Sequence, residues 1–419
     1  MEYKVSENIK NTYSAVTAQS DVKKALEFAK EDEKNDIEQL IEMTLIEAPT
    51  FHEHKRAQYM AARYKELGLE NVTIDKDLVV SGVRKGVGGG PTVVVDGHMD
   101  TVFPEGTVKE VRREGDYLYA PGVGDDTAAL AMELGILRAL NAGGVKTKGD
   151  IIFTATPREE GIGMLGGMRD FMNGHHEEVD CLVAIDGGRM SGITYQATGM
   201  RTVEVTFHGK DGHAAGMFGK ISNSLNAAAR AVAKIAEIRV PEDPWTIFCV
   251  SNFHAGNDAG IHAIAGTTVI KYNIRSNSEE ELAKLDDEIG RCIQEACDEE
   301  QARWGKDAIT WERKYLATAP AGTQDVECSL CQAMYHVCEE YDTDPQFGFG
   351  GCTNASYGIA HGIPSICIGR QFVPRGMNIG STAHQLNENM YIKDYYKCVQ
   401  MGMLVTLMMT GTPETPSAL

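Results

Sequence analysis

The stretch TVVVDGHMDTV, residues 92–102, sets the prediction of the fold, because a histidine and a carboxylate stand where an apolar run ends. An apolar, β-branched run closed by Gly97 indicates a buried strand, and open α/β sheets bind ligands at the carboxyl ends of such strands. His98 could bind a metal ion there through one ring nitrogen while Asp100 accepts a hydrogen bond from the other. A single His-x-Asp pair is common, so the rest of the chain decides its meaning.

Strands and helices alternate on both sides of this run. Short apolar runs predict strands at residues 72–74, 79–83, 93–96, 150–155, 181–185, 347–351 and 364–369. Helical spacing predicts two helices within residues 36–67, an amphipathic helix at 127–142 and a final helix at 393–409. The alternation predicts an α/β fold with a mixed, mainly parallel sheet flanked by helices. The tail, residues 411–419, is predicted to be frayed because it has little to bury.

Residues 193–314 show a different pattern and predict a second, smaller domain. Strands at 201–208 and 267–275 alternate apolar and polar residues, and helices are predicted at 222–237 and 279–303. Such strands fit a sheet with one solvated face, so we predict an α+β domain. A chain of 419 residues also exceeds the size of a single hydrophobic core. The segment is therefore predicted to be inserted into a catalytic domain made of residues 1–192 and 315–419.

Composition excludes several classes of function. The chain carries 60 acidic and 40 basic side chains, a net charge of −20, which repels nucleic acid and anionic membranes. Residues 1–30 lack the apolar core of a signal peptide, and no uncharged apolar run reaches the ~18 residues of a membrane span. Ten cysteines are too sparse for a disulfide scaffold. We predict a cytoplasmic protein without nucleic-acid or membrane partners.

Polar side chains follow four of the predicted strands in the larger domain. In chain order they are His98 with Asp100, Glu159 with Glu160, Asp186, and His384. Because the carboxyl ends of parallel strands share one edge of a sheet, these residues are expected to converge.

Asp125 and Asp126 add two carboxylates just before the helix at 127–142. Asp126 is predicted to be the N-cap of that helix, whereas Asp125 could bridge two metal ions. The predicted metal ligands are His98, Asp125, Glu160, Asp186 and His384. Imidazole and carboxylate together suit zinc, with cobalt or manganese as substitutes, and the sharing of Asp125 leaves open coordination for catalysis. Glu159, next to a ligand, is placed to act as the general base.

At these residues the chain resembles the dinuclear zinc peptidase family that includes peptidase T, carboxypeptidase G and the aminoacylases. The resemblance runs from residue 46 to residue 392, and the segments that carry it are GHMDTV (97–102), GDD (124–126), PREE (157–160), IDGG (185–188), and His384 with Glu388. It implies two Zn²⁺ ions per subunit, one held by His98 and Asp186 and the other by Glu160 and His384. Asp125 would bridge them, and a cis peptide bond would follow Asp125.

The inserted segment resembles the family's lid and dimerisation domain, which implies a homodimer. His213 matches the histidine that supports the oxyanion in the active site of the partner subunit. Arg275 matches a residue that contacts substrate, and Asn354 lies in a segment resembling the glycine-rich substrate loop. The chain departs from the family pattern in two places: Asn354 stands where aspartate is common, and His262 stands where asparagine is common. We expect all three of Arg275, Asn354 and His262 to contact substrate.

The resemblance implies amide hydrolysis by a zinc-bridged hydroxide, with Glu159 as general base, Asp100 orienting His98, and His213 sharing the oxyanion charge. Aspartate at position 186 and the likeness to peptidase T favour a tripeptidase-like aminopeptidase acting on small peptides. The alternative is an N-acyl- or N-carbamoyl-amino-acid amidohydrolase that uses the same site. A non-catalytic family member is a third interpretation, but every ligand position and the base are filled by competent residues.

Overall fold

The computed structural model describes residues 3–304, 309–348 and 350–419. The chain divides into two compact units, one made of the residues up to Ala197 together with Thr323–Leu419 and the other of Thr198–Gly322. The boundary predicted between residues 314 and 315 falls inside a strand, Thr310–Ala319, that the sequence pattern did not reveal. This strand is rich in charged residues, so it lacks the apolar run on which the prediction depended.

An eight-stranded sheet forms the centre of the first unit. Its strands lie in the order Glu70–Ile74, Val80–Arg84, Ile151–Thr156, Val93–His98, Cys181–Ile185, Ser365–Ile368, Gly192–Thr194 and Gln346–Gly348. The four middle strands, from Ile151–Thr156 to Ser365–Ile368, are parallel to one another. Antiparallel pairing enters through Val80–Arg84 on one side and Gly192–Thr194 on the other. This confirms the predicted mixed, mainly parallel sheet. Residue 349 of the predicted strand 347–351 lies outside the described residues.

Helices surround this sheet. They are Glu7–Ala18, Ser20–Glu31, Glu33–Thr44, His54–Glu66, Thr127–Gly143, Gly166–His175, Ser329–Glu340, Ala355–Ala360 and Tyr396–Thr410, with a 3₁₀ turn at His176–Glu178. Every residue of the strand Val93–His98 is buried, although successive side chains point to opposite faces, so the strand is covered on both sides. Within the three described ranges, no helix is both long and apolar enough to cross a membrane.

The helix Thr127–Gly143 matters most for the site, because its amino end lies next to Asp125 and Asp126. It is almost entirely buried, and it ends at Gly144, whose φ of +71° is the left-handed conformation that glycine adopts at helix ends.

Shorter strands of the chain are Arg112–Glu114, Tyr117–Tyr119, Gln196–Ala197, Gly322–Thr323 and Asn389–Tyr391.

The second unit is an antiparallel sheet covered by helices. Its four strands lie in the order Thr246–Ala255, Thr267–Ser276, Gly199–His208 and Thr310–Ala319. Its helices are Ala214–Met217, Ser224–Ile235 and Glu279–Trp304, and Gly212–His213 pairs with Ala263–Ile264 in a small separate ribbon. Val203, Val205 and Phe207 alternate along one strand and are fully buried, so one face of the sheet forms the core of the unit. The edge strand Thr310–Ala319 is absent from the sequence prediction. In the other edge strand, Cys249 lies in an apolar, strand-like run of the sequence, as expected, but its side chain is exposed and not buried.

The prediction of a frayed tail at residues 411–419 is wrong. The side-chain amide of Gln19 donates hydrogen bonds to the hydroxyl oxygens of Thr412 and Thr415, both 2.9 Å away. The backbone N–H of Ala418 donates to the carbonyl of Met408 at 2.9 Å, and Ala418 is buried. The tail packs because the amino-terminal helices, which the sequence pattern did not predict, supply the partner surface.

Candidate metal centre

The predicted ligands come from the carboxyl edge of the four parallel strands. His98 ends its strand, while Asp186 and Glu160 follow theirs within a few residues. His384 lies farther along the chain after Ser365–Ile368, with a φ of +65° that turns the backbone at that point. The structure brings all five predicted ligands together at this edge.

His98, Asp125, Asp126 and Asp186 form the inner position, and their ligand atoms lie within 4.8 Å of one another. Nε2 of His98 is 3.3 Å from Oδ1 of Asp125 and 4.0 Å from Oδ1 of Asp186. His98 is only 1% exposed. A cation held here would be almost completely enclosed by protein.

Asp125, Glu160 and His384 form the outer position. Nε2 of His384 is 3.3 Å from Oδ2 of Asp125 and 2.8 Å from Oε1 of Glu160. The side chain of His384 is 54% exposed, so this position is the more accessible of the two. Asp125 therefore presents one carboxylate oxygen to each position, as a bridging ligand does.

Asp100 organises both the histidine and the glutamate pair. Nδ1 of His98 lies 3.0 Å from the backbone carbonyl of Asp100 and 3.5 Å from its carboxylate. The same carboxylate accepts the backbone N–H groups of Glu159 at 2.9 Å and Glu160 at 3.1 Å, as well as the hydroxyl of Thr50. One buried side chain thus orients residues from two strands, and Nε2 of His98 is left facing the inner position.

A buried glutamate holds the loop that carries Asp125. Oε1 of Glu388 accepts the N–H groups of Gly124 at 2.9 Å and Asp125 at 2.7 Å, and Oε2 accepts the N–H of Gly122 at 3.1 Å. The peptide bond between Asp125 and Asp126 is cis, as the resemblance implies. From the sequence, Glu388 was identified as part of the last motif, but no role was predicted for its side chain.

The interpretation of Asp126 as a simple N-cap needs correction. Asp126 does precede the helix Thr127–Gly143, but its side chain makes no capping hydrogen bond. Instead, its Oδ2 accepts the backbone N–H of His98 at 3.0 Å. This carboxylate therefore faces the strand and belongs to the inner position.

Sequence reasoning missed Arg370 entirely. Arg370 is buried, with 5% of the residue exposed, and its guanidinium lies 3.2 Å from Asp186, 3.3 Å from Asp126 and 3.5 Å from Asp125. The available signal was a basic residue two positions beyond the strand Ser365–Ile368, at the edge where the ligands collect.

The electrostatics of the site fit divalent cations. Seven carboxyl groups converge here, those of Asp100, Asp125, Asp126, Glu159, Glu160, Asp186 and Glu388. Burial raises the pKa of Glu159 well above its usual range and the pKa of Glu160 to about 7. Hydrogen bonding to Asp125, and then the charge of Glu160, raises the pKa of His384 to about 9. Such an excess of buried negative charge is what a pair of bound cations would neutralise.

The predicted substrate-binding residues occupy different places. Asn354 is buried in the first unit, and its amide nitrogen donates to Asp96 at 2.7 Å and to Thr156 at 2.8 Å. In the second unit, Nδ1 of His213 accepts the N–H of Ala215 at 3.2 Å, and its ring lies 4.9 Å from that of His262.

Arg275 is exposed on the strand Thr267–Ser276 and donates from Nε to Asn273 at 3.1 Å. Contact of substrate with Arg275, Asn354 or His262 stays a prediction. The contacts of Asn354 make it a support for the strands beneath the site.

The chain is similar in sequence and in fold to known proteins. The sequence model described as Peptidase family M20/M25/M40 matches residues 94–407, about three quarters of the chain. Succinyl-diaminopimelate desuccinylase of Leptothrix cholodnii is 25% identical over 346 residues, covering 77% of this chain and 85% of that protein.

Among solved structures, a tripeptidase from Staphylococcus aureus aligns with a TM-score of 0.73 and 20% identity, over 89% of this chain and 97% of that one. A dinuclear metal-binding peptidase of the M20 family from Bacillus subtilis aligns with a TM-score of 0.66 and 14% identity, over 91% and 99% of the two chains. These structural likenesses establish the fold.

Proposed function

The chain belongs to peptidase family M20/M25/M40 and is a hydrolase, and we propose that it is a metal-dependent aminopeptidase acting on small peptides, as a tripeptidase does. The observation that carries this proposal is the placement of Asp125, which offers one oxygen to His98 and the other to His384. A carboxylate shared in this way can hold two metal ions about 3.5–4 Å apart, the separation found in two-metal hydrolytic sites.

We assign two Zn²⁺ ions to the site, for which Co²⁺ or Mn²⁺ could substitute. His98, Asp125 and Asp186 would hold the first ion, and Asp125, Glu160 and His384 the second. When bound, the ions would polarise the scissile carbonyl and lower the pKa of the attacking water.

Glu159 is the proposed general base. It lies next to Glu160 in the chain, and its backbone N–H is held by Asp100, so its position relative to the ligands is fixed. Burial raises the pKa of its carboxyl group, which suits a residue that must accept a proton and then release it. Glu159 would take a proton from the attacking water and deliver it to the leaving amine.

We propose that His213 supports the developing oxyanion in the active site of a second copy of the chain, so that the working unit is a homodimer. The resemblance of the segment around His213 supports this role. Mixing two inactive variants, H213A and E159A, tests it. If His213 acts between subunits, mixed dimers recover up to about a quarter of wild-type activity; if it acts within its own subunit, mixing recovers none.

A second candidate function is hydrolysis of N-acyl or N-carbamoyl amino acids. The similarity to a succinyl-diaminopimelate desuccinylase favours it, since that name denotes removal of an acyl group from an amine. A zinc-loaded enzyme should be assayed on unblocked tripeptides and dipeptides beside N-acetyl, N-succinyl and N-carbamoyl amino acids. Cleavage of unblocked peptides supports the aminopeptidase, and cleavage of the blocked compounds alone supports the alternative. E159A serves as the catalytic control.

A further inference from the structure

Arg370 lies within the metal centre but is neither a metal ligand nor the base. The backbone at the preceding Gly369 passes so close to that of Arg189 that an added Cβ would lie 2.0 Å from the carbonyl oxygen of Arg189. Only glycine fits there. The backbone is therefore held in place beneath the site, and the side chain of Arg370 extends into the carboxylates at 5% exposure.

The guanidinium and an ion at the inner position use the same oxygen atoms. Nη2 of Arg370 is 3.5 Å from Oδ1 of Asp125, and Nη1 is 3.2 Å from Oδ1 of Asp186. These two Oδ1 atoms are the ones that face Nε2 of His98, at 3.3 and 4.0 Å. Lone pairs that bind the guanidinium have less charge to offer a metal ion.

The outer position is built from other atoms. Oδ2 of Asp125 and Oε1 of Glu160 face Nε2 of His384. Across the described part of the chain, the ion pairs of Arg370 reach Asp125, Asp126 and Asp186 and do not include Glu160. The positive charge of Arg370 therefore acts mainly on the inner position.

We propose that Arg370 makes the two metal positions unequal, so that the outer position binds its ion tightly and the inner position binds weakly and fills last. The inference rests on the metal pair of the proposed function. A guanidinium does not lose its proton in proteins, and a buried charge a few ångströms from a divalent cation repels it with little screening. At low metal concentration the protein would hold one ion, and the supply of a second would control turnover.

Variants with a single metal position test the proposal without measuring activity. H384A removes a ligand of the outer position and so keeps only the inner one intact. H98A removes a ligand of the inner position and so keeps only the outer one intact. Co²⁺ is titrated into the metal-free proteins, and binding is followed by calorimetry and visible absorption. In the H384A background, R370M is expected to raise Co²⁺ affinity at least about tenfold. In the H98A background, the same substitution should change affinity less than about threefold.

Two further variants separate charge from packing. R370K keeps the positive charge and should leave the inner position weak. R189M removes a nearby guanidinium whose hydrogen bond goes to Asn378, outside the carboxylate cluster, and should change neither affinity. If R370M does not fold, as judged by circular dichroism, R370Q supplies the neutral side chain.

The proposal is overturned if a neutral substitution of Arg370 leaves the Co²⁺ affinity of the inner position unchanged or lowers that affinity. It is equally overturned if the substitution changes the Co²⁺ affinity of both positions by the same factor. It is also overturned if R370K strengthens the inner position as much as the neutral variant does. Failure of the metal pair on which the inference rests gives a different result: the wild-type protein would then bind no Co²⁺ at either position.

Discussion

Glu388 offers the sharpest prediction about how the chain prepares the metal centre. Its buried carboxylate accepts three backbone N–H groups from the loop that carries Asp125, at 2.7 to 3.1 Å. Hydrogen bonds to a charged acceptor contribute about 1.5–3 kcal/mol each, and they are not fully additive. We therefore expect E388A to lower the free energy of unfolding of the metal-free protein by about 3–6 kcal/mol.

The conservative variant E388Q should fall between the wild type and E388A. Its amide oxygen can still accept from Gly124 and Asp125, as Oε1 does now, but its NH₂ group cannot accept from Gly122. One lost acceptor predicts a cost of about 1–3 kcal/mol. Because Asp125 is shared, metal affinity should fall at both positions, by about tenfold or more in E388A.

Urea unfolding of the chelated proteins measures the stability loss, and Co²⁺ titration measures the affinity. E38A is a matched control, since Glu38 is exposed and its one ion pair with another described residue is that with Lys34 at 3.5 Å; its effect should stay below about 1 kcal/mol. The account of the loop is refuted if E388A and E388Q both unfold like E38A and bind metal like the wild type.

Three further predictions concern catalysis, metal dependence and pH. E159A should lose turnover while its metal content, measured by mass spectrometry, stays unchanged. If E159A turns over substrate as fast as the wild type, Glu159 is not the general base. Chelation should abolish hydrolysis and Zn²⁺ or Co²⁺ should restore it, whereas activity that survives removal of all metal would exclude the proposed chemistry. Burial raises the pKa of Asp36 from 3.8 to about 7, so the folded protein keeps this carboxyl protonated where the unfolded chain ionises it. The free energy of unfolding is therefore highest below pH 4 and falls as the pH rises to about 7. Relative to D36N, the wild type should lose about 4 kcal/mol across that interval, and a difference independent of pH would contradict the shift.

The sequence predicted the central sheet because its strands are continuous apolar runs. Val93–His98 and Cys181–Ile185 are buried along their whole length, and such runs are hard to mistake. The edge strand Thr310–Ala319 was missed because the consecutive charged residues Glu312, Arg313 and Lys314 interrupt any apolar run there. The amino-terminal helices were missed because their apolar stripes are narrow, with only a few buried residues per helix.

The site was predictable where a residue's role follows from its place on a strand. Ligands at strand ends converge because parallel strands share an edge, and His98 and Asp186 follow that rule. Arg370 and Asp126 do not follow this rule. An arginine in a loop is ordinarily solvated, and an aspartate before a helix ordinarily caps that helix. The role of Arg370 depends on a close backbone approach at Gly369, and that of Asp126 on a contact with the backbone of His98, and neither contact is encoded by a local pattern.

The central claim is that Asp125 bridges two metal ions at one edge of the sheet. A crystal of the Zn²⁺-loaded protein, measured at wavelengths on both sides of the zinc absorption edge, tests it directly. The account predicts two anomalous peaks roughly 3.5–4 Å apart, one between His98 and Asp186 and the other between Glu160 and His384. A single peak at saturating zinc, or peaks away from Asp125, would contradict it.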